Sequence, residues 1–84
     1  NDVNRTVDEV RECWPWFNDC NKAAREVMIE LCFQLGAPRL SGFVKCLAAL
    51  EAGDNNTAAA ELLDSKFAKQ VPARANRLHK RLIN

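Results

Sequence analysis

Between Ala23 and Leu35 most residues are apolar, and the polar positions Lys22, Glu26, Glu30 and Gln34 recur every fourth residue along one narrow stripe. That period is helical, and a helix that is apolar around most of its circumference belongs at the centre of a small bundle, with neighbours on several sides. Asn21 is suited to cap its start, because its side chain can accept from an exposed first-turn N–H. Gly36 ends it as a C-cap, and Pro38 prevents its return. The remaining elements must then be short helices wrapped around this one.

The rest of the chain reads in that way. Val3, Val7 and Val10 share one face of a first helix that Asp2 can cap. Trp14-Pro15-Trp16 breaks the register and opens a short helix ending near Cys20, with both tryptophans as core anchors. Pro38 to Ser41 is a single turn, followed by a helix from Phe43 to Ala52 that buries Phe43, Leu47 and Leu50 and is closed by Gly53. Asn55 or Asn56 caps the next, whose apolar face is Ala58, Ala59, Leu62 and Leu63. Asp64-Ser65 stops it and caps one turn through Phe67. Pro72 opens a last helix that buries Ala75, Leu78 and Leu82 and turns Arg74, Arg77 and Arg81 outward. With connections of only a few residues, the reading is an all-α, compact orthogonal helical bundle, a single domain over 1–84 with no repeat and no linker.

Composition narrows the function classes. A chain of 84 residues is one small domain, able to bury roughly 60 to 65% of its unfolded surface. Apolar content of 48% and charged content of 27% argue against a disordered tail and against a fibre. No apolar run approaches the roughly 18 residues of a membrane span, and acids stand where a signal peptide would be basic and then apolar. The net charge of +1 hides an asymmetry: all 11 acids lie in residues 1–64 and the last 20 residues hold six basic ones and no acid. Such an end can attract a phosphate backbone or an anionic cell wall, or it can simply be a solvated face. The cysteines at 13, 20, 32 and 46 have no CxxC spacing, so a metal site is not expected. Cys32 in its apolar run and Cys46 beside Leu47 read as reduced core thiols.

Two blocks carry a family likeness. Phe33-Gln34-Leu35-Gly36 running on to Gly42-Phe43, and Ser65-Lys66-Phe67 followed by Gln70-Val71-Pro72, Ala73-Arg74-Ala75 and Arg77, resemble the C-terminal helical lobe of phage-type (T4-like) lysozymes, the endolysins of glycoside hydrolase family 24. The two blocks follow in order without a gap, and the resemblance covers nearly the whole chain. It implies a muramidase that hydrolyses the glycosidic bonds of bacterial peptidoglycan, made in the host cytoplasm without a signal peptide and acting on the wall. Its cleft lies between a sheet-bearing lobe and a helical lobe like this one. Phe33 and Gln34 then fall on the cleft wall, Lys66 and Gln70 line the same side, and Arg74 reaches toward the other lobe. Phe67 reads as core. Three positions depart from the family pattern: Cys46 replaces a small hydroxyl and Glu61 a neutral amide, both at positions associated with ligand, and Val71 replaces the hydroxyl that would cap the last helix.

Glycoside hydrolysis calls for two carboxyl groups roughly 5 to 9.5 Å apart. Glu26 and Glu30 are one turn apart, but they alternate with Lys22 and Gln34 in what reads as a solvated stripe. The family's catalytic glutamate, aspartate and threonine would precede residue 1, so the expectation is a substrate-binding lobe that is inactive alone and needs no cofactor. In the family the first helix of the full enzyme packs into this lobe, so an apolar groove near Trp14, Phe33 or Leu82 is expected, open to self-association. Other classes compete. Pro38 to Ala52 with the basic tail can be read as a nucleic-acid module, the whole as a protein-interaction or inhibitor fold, and the last helix, with Arg74, Arg77, Lys80 and Arg81 beside Leu78, Leu82 and Ile83, as a membrane-surface helix. His79 among those bases reads as a surface histidine.

Overall fold

The computed structural model describes the backbone of residues 2–83 and the side chains of residues 5–83. The proposed cap Asp2 and the apolar Val3 therefore lie outside the described side chains. Seven α-helices and one 3-10 helix account for the described secondary structure, and no strand occurs among the described residues. The order is α1 (Asp2–Cys13), a 3-10 turn (Pro15–Asp19), α2 (Lys22–Leu35), α3 (Ala37–Leu40), α4 (Val44–Ala52), α5 (Asn55–Leu63), α6 (Lys66–Gln70) and α7 (Pro72–Ile83). The longest helix has 14 residues and so spans about 21 Å, while the molecule measures 27 × 25 × 21 Å. Short helices stacked in a nearly isotropic body give a radius of gyration of 11.5 Å, close to the roughly 12 Å of a compact domain this long.

Local chemistry sets the ends of these helices. Asn21 Oδ1 accepts from Ala24 N at 2.9 Å and caps α2. Gly36 follows α2 with φ at +84° and donates to Cys32 O at 2.8 Å. Gly53 closes α4 with φ at +79°, a left-handed conformation that a Cβ would strain, and Asp54 N then reaches back to Ala49 O at 2.8 Å. At α5 the cap is Asp54, whose Oδ1 accepts from Thr57 N at 3.1 Å. Asn55 and Asn56, expected as caps, do not serve: Asn55 instead exchanges hydrogen bonds of 3.1 and 3.2 Å with Asn21, tying the starts of α2 and α5. Ser65 caps α6 through Ala68 N and donates to Leu62 O at 2.6 Å.

The core is continuous. Val10, Val27, Met28, Leu31, Leu40, Leu50, Leu62 and Leu78 are its largest fully buried side chains, drawn from six helices. Helix α5 packs against α4 and α7, and α2 against α1, α3 and α7. Several expectations are corrected here. Trp14 and Trp16 are only partly buried, and Phe17 of the 3-10 turn is the aromatic that enters the core. Leu63 sits at the rim at 37% exposed, because Ala58, Ala59 and Leu62 already complete the inward face of α5. Helix α2 does have neighbours on several sides, in α1, α3 and α7, but Phe33 is not covered by them, at 56% exposed. Nor is its polar stripe merely solvated: Glu30 pairs with Arg77 and Glu26 with Arg81, so two stripe positions face α7.

Candidate functional site

All of the binding and interlobe residues singled out from the sequence except Gln70 fall into three separate places. The first is an open groove of about 480 Å³ where the α3–α4 junction meets the α5–α6 junction. Cys46 and Glu61 stand on its walls with Lys66, although they come from α4, α5 and α6. Phe43 lines it as well, its ring edge-to-face with that of Phe67 at a centroid distance of 6.5 Å. Arg39 and Lys45 add positive charge and Asp64 negative charge, so both signs occur around one aromatic ring.

Within this groove Cys46 is a poor ligand contact. Its side chain is 3% exposed and its Sγ donates to Ala58 O at 3.5 Å, so the sulfur is committed to the backbone of α5. Burial pushes the thiol up to about 11, with a further push from the charge of Glu61. It stays protonated at neutral pH and acts as packing. The groups free to meet a ligand are the half-buried Glu61 and the exposed Lys45, Lys66, Arg39 and Asp64.

The second place is a shallow groove along α2 lined by Glu26, Ile29, Glu30, Phe33 and Gln34. Phe33 and Gln34 are thus together, but apart from Cys46, Glu61 and Lys66. The third lies at the start of α7, lined by Val71, Pro72, Ala73, Arg74 and Arg77. Arg74 is exposed there, whereas Arg77 is held by Glu30. Gln70 is exposed at the last position of α6 and is not among the residues lining these three grooves. Of the residues expected to border an open apolar groove, Phe33 is exposed, Trp14 is partly buried, and Leu82 is covered at 3%.

Glu26 and Glu30 are each occupied by an arginine of α7. The same pairs take Arg77 and Arg81 out of the basic face read from the sequence. Groove residues that sequence reasoning missed are Arg39, Lys45 and Asp64, which carry no motif and meet only because α3, α4 and α5 converge. Phe43 was visible in the Gly42-Phe43 pair, yet its apolar character read as core alone. Comparison with protein-family models, with curated proteins and with solved structures gives no match for this chain.

Proposed function

We propose that this chain is the helical, substrate-binding lobe of a phage-type lysozyme, forming one wall of a cleft in which the glycosidic bonds of bacterial peptidoglycan are hydrolysed. The reading is supported by one observation above others. Cys46, Glu61 and Lys66, chosen from a sequence resemblance and lying on three different helices, line a single groove together with the Phe43 ring. An aromatic ring flanked by two carboxylates and three cations suits a ligand with an apolar sugar face and a peptide bearing both charge signs, and a muropeptide has this chemistry. Catalytic carboxyl groups are assigned to a second lobe, so the 84-residue chain binds and does not cleave.

Titrating the isotopically labelled chain with a soluble disaccharide-tetrapeptide, and following backbone amide shifts by NMR, tests this. Saturable shifts at Phe43, Glu61 and Lys66 are expected, with no release of reducing sugar. Absence of saturation at millimolar ligand, or shifts confined to α7, would sink the proposal. Cleavage by the chain alone would show that the assignment of the catalytic groups to another lobe is wrong.

A further inference from the structure

A recess outside the three grooves lies where α1, the 3-10 turn and the first half of α2 meet. On α1, Val7 and Arg11 are one helical turn apart, and on α2, Lys22, Arg25, Glu26 and Ile29 recur at helical spacing, so each set shares one side of its helix. Together with Phe17 and Asn18 of the 3-10 turn they border about 220 Å³. The half-buried Val7 and Ile29 and the buried Phe17 make its floor apolar, and the exposed Arg11, Lys22 and Arg25 make its rim cationic. These charges are not balanced within the protein. Among the described residues Arg11, Lys22 and Arg25 form no ion pair, and Glu26, the carboxylate that lines the recess, is taken by Arg81. The neighbouring acids Asp8, Glu12 and Asp19 do not line it. Arg11 is fixed against the 3-10 turn by its Nε, which donates to Asn18 Oδ1 at 3.2 Å and leaves the two terminal nitrogens of the guanidinium for another acceptor.

We infer that this recess binds a small organic phosphate, a phosphate monoester carried on an aromatic ring or a short alkyl chain. At neutral pH such a group has a charge of about −1.5 to −2 and three acceptor oxygens, which suits three uncompensated cations better than a single carboxylate does. Arg11 and Arg25 offer planar forks that match phosphate oxygens, and Lys22 adds a point charge beside them. A bare phosphate would leave Val7 and Ile29 wet, whereas a ring or short chain covers them. The volume sets the size: sites for extended ligands run from roughly 300 to 1,000 Å³, so this one seats a single ring or short chain with its phosphate. The recess shares no residue with the Phe43 groove.

Phenyl phosphate is titrated into the isotopically labelled chain at neutral pH and low salt, and amide shifts are followed by NMR, with inorganic phosphate, benzoate and phenol titrated separately. Saturable shifts at Arg11, Asn18, Lys22 and Arg25 are expected with a sub-millimolar Kd for phenyl phosphate. Inorganic phosphate, which lacks the ring, and benzoate, which lacks the second charge, should each bind about tenfold more weakly, and phenol should not bind. Lys22→Gln and Arg25→Gln, both at exposed positions, should each weaken phenyl phosphate by about tenfold while the amide spectrum of the rest of the chain stays in place. The proposal is overturned by any of four results: no saturation at millimolar phenyl phosphate, inorganic phosphate or benzoate binding as tightly, shifts spread equally over Lys69, Arg74 and Lys80, or glutamine variants that keep the original affinity. The amides of Phe43 and Glu61 report on peptidoglycan binding in the same spectra, so the two readings stand or fall separately.

Discussion

At the scale of single residues, the positions most legible in the sequence are those whose role is local. Asn21, Gly36 and Gly53 end or begin helices by their own backbone chemistry, and the structure uses all three as read. Asn55 was misread because Asp, Asn and Ser are near-equivalent caps, and only the tertiary pairing of Asn55 with Asn21 leaves the capping role to Asp54. The pairing makes the two asparagines separable by experiment. Asn21→Ala removes both the cap on Ala24 N and the bridge to α5, and is expected to cost about 1–2 kcal/mol by urea unfolding. Asn55→Ala removes the bridge alone and is expected to cost less than half as much. Equal losses at the two positions would mean that the bridge, and not the cap, carries the effect.

At the scale of elements, periodicity located the helices and their inward faces but not the partners of their polar faces. A four-residue spacing of Lys22, Glu26, Glu30 and Gln34 states that these side chains share a stripe. Whether the stripe meets water or another helix depends on residues roughly fifty positions away, and here it meets Arg77 and Arg81. The two pairs join α2 to α7 in a ladder, since both partners step by one helical turn. Their side chains remain 29% to 57% exposed, so solvent screening holds each pair to about 0.2–1 kcal/mol. A double-mutant cycle with Glu30→Gln and Arg77→Gln should give a coupling energy in that range and lose most of it in 1 M salt. A coupling well above this, insensitive to salt, would contradict a solvent-screened pair.

At the scale of the whole molecule, the all-α fold was legible because burial on a helix repeats along the chain, whereas a site assembled from several helices does not. Cys46, Glu61 and Lys66 converge because α4, α5 and α6 do, while Phe33 with Gln34 and Arg74 are carried elsewhere by α2 and α7. What holds this arrangement together is the packing of α7 over α5 and α2. Leu78 is the fully buried centre of α7, with Ala75 and Leu82 beside it on the same face. Truncating it to alanine removes contacts and leaves a cavity, which costs about 2–5 kcal/mol. A domain of this length has roughly 4 to 13 kcal/mol of stability in all, so Leu78→Ala is expected to lower the melting temperature by at least 10 °C. Because α7 also supplies Arg77 and Arg81, its loosening frees Glu26 and Glu30 as well, and the variant should expose the α2 face to hydrophobic dye well before global unfolding. Val44→Ala is the matched control: the side chain is 69% exposed, and its loss should change stability by no more than about 0.5 kcal/mol. If the two variants unfold alike, α7 does not close the core in the way its burial indicates.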